Sequence, residues 1–200
     1  MKYSTIGYIL GQVLKFEGIF MLLPFLTGMI YHENEAYSYL IIGIICFVLG
    51  CLITLKKVKH PQIFNREGFV AVALSWIVLS IFGAIPFVIT GEIPSYVDAL
   101  FETISGLTTT GASVVTAPEE MTRGGMFWRL FTHWIGGMGI LVFVLAVLPM
   151  SGNRSMHIMR AEVPGPTVGK LVPRIRKTAS ILYLLYIALT LVETVLLIAG

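Results

Sequence analysis

Residues 108–113 read Thr-Thr-Thr-Gly-Ala-Ser, a run of small oxygen-bearing residues with no apolar stripe. Such a run can do one kind of chemistry well. Backbone carbonyls and threonine hydroxyls can replace the water oxygens around a cation, and Gly111 can take backbone angles that other residues avoid. The residues offered for coordination are Thr109, Thr110, Gly111, Ala112 and Ser113, with Thr108 supporting them. The stretch before them must position them. Val97, Leu100, Phe101, Ile104 and Leu107 recur at helical spacing, and Ser95 followed by Asp98 behind Pro94 forms a capping box. A helix from Ser95 to Leu107 rises about 20 Å, well short of a hydrocarbon core of about 30 Å. It must therefore enter and leave on one side, with the negative end of its dipole toward the membrane centre. Gly106 is the residue best placed to cap its C-terminus, which leaves Gly111 for the coordinating strand.

Covalent chemistry is not expected. His32, His60, His133 and His157 are scattered, and Cys46 and Cys51 fall on different faces of one apolar run. With 56% hydrophobic and 12% charged residues, and a mean hydropathy of +0.85, the chain departs from soluble domains, where charge is about a quarter. The fold class is an all-α integral membrane protein. Five apolar stretches are long enough to span: residues 5–31, 36–55, 69–90, 126–148 and 178–199. Pro24 should kink the first. The net charge of +3 does not suggest nucleic acid as a partner; what matters is which loops hold the basic residues. Lys56, Lys57, Lys59 and Arg66 follow the second span, and Arg154, Arg160, Lys170, Arg174, Arg176 and Lys177 follow the fourth. Those loops are expected in the cytoplasm, with the N-terminus inside and an outer face bearing Glu33, Glu35, Glu92, Glu119 and Glu120.

Three stretches resemble one family in the same order. FETISGLTTTGAS (residues 101–113) is similar to the first pore loop of the Trk/Ktr/HKT superfamily of potassium transporters, closest to the TrkH type. FTHWIGGMGI (131–140) is similar to the opening of the next helix, and AEVPGPTVGKLVPRIR (161–176) to the following cytoplasmic connection. The resemblance implies potassium uptake with no cofactor, potassium being the substrate. It also implies a homodimer of longer chains in a bacterial inner membrane, surrounded by lipid and gated by a cytoplasmic nucleotide-binding subunit. In the plant relatives, serine at the position of Gly111 goes with sodium transport, so glycine points to potassium.

Residues 1–60 are then expected as a two-helix hairpin and 61–150 as a first pore unit of span, pore helix, filter and span. Residues 151–177 form a basic cytoplasmic loop, and 178–200 the first span of a second unit. A single filter strand cannot surround an ion, so either four copies of the chain assemble or, as the resemblance implies, the chain is the front part of a longer one holding four units, which is the reading favoured here. Two rivals remain: a secondary transporter whose re-entrant hairpin binds a solute, and a sodium-permeable channel. Several residues have a structural and a functional alternative. Gly136, Gly137 and Gly139 suit close packing better than a hinge. Arg129 and His133 share a face and suit a hydrogen bond behind the filter. Glu102 either attracts cations or accepts hydrogen bonds from neighbouring spans. Glu17 and Glu193 lie within apolar spans and should face a cavity or partner. The loop asymmetry gives a direct test: a cysteine replacing Glu119 should react with an impermeant thiol reagent from outside, and one replacing Arg174 should not.

Overall fold

The computed structural model describes residues 3–55, 65–139 and 175–199, which contain seven α-helices and one short 3₁₀ turn. No strand occurs among the described residues. They are α1 (Tyr3–Phe20), α2 (Leu22–Ile30), α3 (Ala36–Thr54), α4 (Asn65–Ile89), α5 (Tyr96–Leu107), α6 (Arg123–Met138) and α7 (Ile175–Ala199), with the 3₁₀ turn at Pro118–Glu120. Four helical stretches are long and apolar enough to cross a membrane: Tyr3–Ile30, Ala36–Thr54, Gly68–Ile89 and Ser180–Ala199.

The first of these breaks at Met21, between α1 and α2. Pro24 has no N–H for the Phe20 carbonyl, so the ladder is interrupted where the sequence leads one to expect it. Helices α1 and α3 then lie antiparallel and unusually close. A Cβ added to Gly18 would lie 2.9 Å from the Phe47 nitrogen, and one on Gly43 2.9 Å from the Gly18 carbonyl oxygen. Small residues thus bring the two backbones together, the usual means of packing apolar helices where the lipid is as apolar as the side chains.

Helix α6, within the expected fourth span, stops at Met138, where Gly139 takes φ +70°. The expected remainder, from 140 onward, lies outside the described residues, as do the basic loops after the second and fourth spans except Asn65, Arg66 and the first residues of α7. Gly136 and Gly137 serve packing. A side chain on Gly136 would run into the Leu107 carbonyl, and one on Gly137 into the Tyr186 hydroxyl.

Helix α5 sits at the centre, between α4 on one side and α6 on the other. Ile6, Ile9 and Val13 of α1 meet Ala71 and Leu79 of α4, Leu107 of α5 and Ile135 of α6 in one core cluster. A second joins Leu14, Tyr39, Ala84, Phe87 and Trp128. Helix α7 is joined to α6 by hydrogen bonds from Trp134 Nε1 to Thr190 Oγ1 and from Tyr186 Oη to the Trp134 carbonyl, while most of its side chains are exposed. Glu193 is among the exposed ones.

Candidate ion-coordinating site

The helix expected from Ser95 to Leu107 is present as α5, with Ser95 in extended conformation accepting a hydrogen bond from the Asp98 nitrogen at 3.4 Å. Twelve residues give it about 18 Å of rise, so it cannot cross a bilayer core. Its apolar stripe faces the other way from a simple core helix. Val97, Phe101 and Ile104 are exposed, whereas Ala99, Glu102, Thr103, Ser105 and Gly106 are buried against the neighbouring helices. The physical reason is polar: the buried face holds a carboxylate and hydroxyls that need partners, and α6, the strand after the helix and the helix's own backbone supply them.

The C-terminus of α5 corrects the assignment of the cap. Gly106 lies within the helix, and a Cβ there would strike the Thr132 side chain of α6. Thr109 takes the left-handed conformation instead, at φ +56°. Its N–H bonds the Gly106 carbonyl and the Thr110 N–H bonds the Ser105 carbonyl, both at 2.9 Å, the paired bonds of a Schellman cap. A β-branched residue in this region costs roughly 1–2 kcal/mol. Gly111 follows at φ +76°, and a Cβ on it would meet nothing within 4 Å. Positive φ at 109 and 111 therefore alternates with negative φ at 110 and 112. Such alternation turns successive carbonyls toward one side of the strand, which helical or extended backbone does not do.

One side chain holds this strand in place. Glu102 is 2% exposed and accepts from Arg129 Nε at 2.5 Å, from Ser113 Oγ at 3.0 Å and from the Val114 nitrogen at 3.0 Å. Ser105 Oγ donates to the Ala112 carbonyl at 2.6 Å, and Thr108 Oγ1 lies 2.7 Å from Thr110 Oγ1. Of the two options for Glu102, acceptance of hydrogen bonds is what the geometry shows. Arg129 reaches the strand only through this carboxylate. His133 does not contact it among the described hydrogen bonds; its Nδ1 is 3.0 Å from the Arg129 carbonyl, behind the end of α5. The hydroxyl of Ser113 and one lone pair of the Ala112 carbonyl are thus taken by the support. Thr109, Thr110 and Gly111 are exposed, as a coordinating surface must be.

Two carboxylates expected on an acidic outer face also bond the backbone of a neighbouring helix. Glu92 Oε1 accepts from Thr122 N and Oγ1 at 2.8 and 2.7 Å, and Glu33 accepts from the nitrogens of Arg123 and Gly124 at 2.6 and 3.0 Å. They cap the start of α6, where free N–H groups and the positive end of the helix dipole favour negative charge. No periodicity announces this, since the bonded residues are 30 and 90 positions apart. Asp98 and Glu120 remain at the surface, lining with Glu92 a cleft of about 370 Å³ beside the N-terminus of α5. The described residues contain no group of three His, Cys, Asp or Glu side chains placed to hold a metal ion.

A family model, described as a cation transport protein and named TrkH, matches residues 37–200. The chain belongs to the TrkH family. Its family transports ions and is not one of enzymes. The TrkH-family chain is 36% identical over 194 residues to the Trk system potassium uptake protein TrkH of Vibrio parahaemolyticus, covering 96% of this chain and 40% of that protein. Against the protein of the same name in Escherichia coli it is 37% identical over 195 residues, covering 95% and 40%. The crystal structure of the potassium transporter TrkH from Vibrio parahaemolyticus superposes with a TM-score of 0.78 at 31% identity, over all of this chain and 40% of that one. This chain thus spans about 40% of the length of the curated relatives it matches.

The Glu102–Arg129 pair has side-chain exposures of 1% and 14%, so each charge depends on the other. Removing one partner of such a pair typically costs about 3–5 kcal/mol. Glu102→Ala and Arg129→Ala should each destabilise the protein in detergent by that order, and the double variant by clearly less than their sum, as read from thermal unfolding. Additive effects would show that the pair is not coupled.

Proposed function

We propose that this chain supplies the first of the pore-lining units of a potassium uptake protein, and that potassium passes along the carbonyls of Thr109, Thr110 and Gly111. The observation that carries the reading is the alternating backbone at 109–112, anchored from behind by Glu102. A carbonyl-lined site must present several oxygens to one ion without collapsing when the ion leaves. Here the outward carbonyls belong to residues that are exposed, while the next residues, Ala112 and Ser113, are tied back to α5. The names of the relatives at 36% and 37% identity support potassium as the substrate.

The mechanism needs no cofactor. A cation entering from the acidic side sheds part of its water, and carbonyl dipoles replace it. The C-terminal end of α5 adds its negative partial charge nearby, roughly half an elementary charge. Coordination must be good enough to strip water and weak enough to let the ion leave. No bond is made or broken.

The organisation follows the same reading. Residues 1–60 form a supporting hairpin, 61–150 the first pore unit, 151–177 a cytoplasmic loop and 178–200 the start of a second unit. The N-terminus lies in the cytoplasm of a bacterial cell, in the inner membrane. The complete protein, by family likeness, is a homodimer gated by a nucleotide-binding subunit at its cytoplasmic face.

Gly111 tests this reading. Since a Cβ there meets no neighbour, a side chain changes the backbone preference and not the packing. In the full-length protein, Gly111→Ser should lower the discrimination of potassium over sodium by about tenfold, the effect of roughly 1.4 kcal/mol of differential coordination. The amount of membrane-inserted protein should stay near that of the parent. A well-inserted variant with the parental ion preference in liposome flux would remove Gly111 from the site.

A further inference from the structure

The coordinating site makes no use of Glu17. This residue lies within α1, is 2% exposed, and its Oε2 has no hydrogen-bond partner among the described residues. A buried carboxyl without partners is costly even when neutral. Its surroundings show where it points. A Cβ added to Gly83 of α4 would lie 3.4 Å from Glu17 Oε1, 3.0 Å from Thr103 Cγ2 of α5 and 3.6 Å from Trp128 Cζ2 of α6. The missing side chain at Gly83 therefore lets four helices converge on the Glu17 carboxyl, with Trp128 Nε1 donating to the Gly83 carbonyl at 2.9 Å.

At this junction is an internal cavity of about 10 Å³, lined by Glu17, Thr103 and Thr132 together with Leu79, Leu107 and Trp128. That volume is about what one water centre needs, and a water needs two to four polar partners. Three polar side chains are among its lining residues. Thr103 Oγ1 already donates its hydrogen to the Ala99 carbonyl and Thr132 Oγ1 to the Arg129 carbonyl, at 2.8 and 2.7 Å. Each hydroxyl oxygen keeps the capacity to accept one further hydrogen bond.

We propose that a single water molecule is held between Glu17, Thr103 and Thr132, and that through it Glu17 of the N-terminal hairpin positions the C-terminal half of α5. That half carries the strand at Thr109–Gly111, so a residue outside the pore unit sets where the coordinating carbonyls lie. Glu17 touches no ion. It is a positioning residue, and the effect on ion preference rests on the proposed site above, whereas the water does not.

Two measurements on the full-length protein test this. A structure resolved well enough to show waters should contain one within hydrogen-bond distance of Glu17 Oε2; a dry cavity overturns the proposal. In liposome flux, Glu17→Gln should keep the parental ratio of potassium to sodium transport, since an amide still bonds the water. Glu17→Leu should lower that ratio by about threefold or more, at an unchanged amount of inserted protein. If Glu17→Leu keeps the parental ratio while Gly111→Ser shifts it, the coordinating site stands and the role of Glu17 is wrong. Where Glu17→Leu fails to insert, Thr103→Val removes a different partner of the same water and is held to the same outcome.

Discussion

The carboxylate of Glu102 is the point on which the site depends. It is buried, it is charged, and it gathers three donors from two other segments: Arg129 of α6, and Ser113 and the Val114 nitrogen of the strand. A lone buried carboxylate would be prohibitively costly, and a pair with arginine alone only partly offsets that cost. With its hydrogen bonds complete the network becomes rigid, because each partner leaves the others unsatisfied if it moves. The strand after Gly111 is thereby fixed to the helix before it. The stretch between, Thr109 to Gly111, is exposed and carries the two positive φ angles.

The same logic extends outward in layers. Arg129 can meet Glu102 only if α6 runs beside α5, and it does so because Gly106 and Gly136 leave no side chains between them. The start of α6 is in turn held by Glu92, from the turn after α4, and by Glu33, from the turn between α2 and α3. The N-terminal hairpin is thus joined to the helix that supports the strand through Glu33 at the start of α6 and through the packing around Glu17 further along it.

Much of this was open to sequence reasoning where the signal is local. The Ser95 cap, the extent of α5, the break near Pro24 and the special backbone at Gly111 each follow from a few adjacent residues. What escaped was set by distant partners. Periodicity shows that α5 has an apolar stripe but not that Val97, Phe101 and Ile104 turn away from α4 and α6. Thr109 as the left-handed cap contradicts its own propensity, and is maintained by the Schellman hydrogen bonds and by the contact of Gly106 with α6. Glu33 and Glu92 look like surface charge until α6 is placed against them. Gly139 reads as one of a packing set, yet it ends its helix.

The central claim is that the carbonyls of Thr109, Thr110 and Gly111 coordinate the transported ion. The most direct test is a structure of the full-length protein with rubidium or thallium in place of potassium, with the heavy cation located by anomalous scattering. The account predicts a cation within coordination distance of those carbonyl oxygens, displaced when sodium replaces it. A well-ordered strand with the cation bound elsewhere along the pore would contradict it.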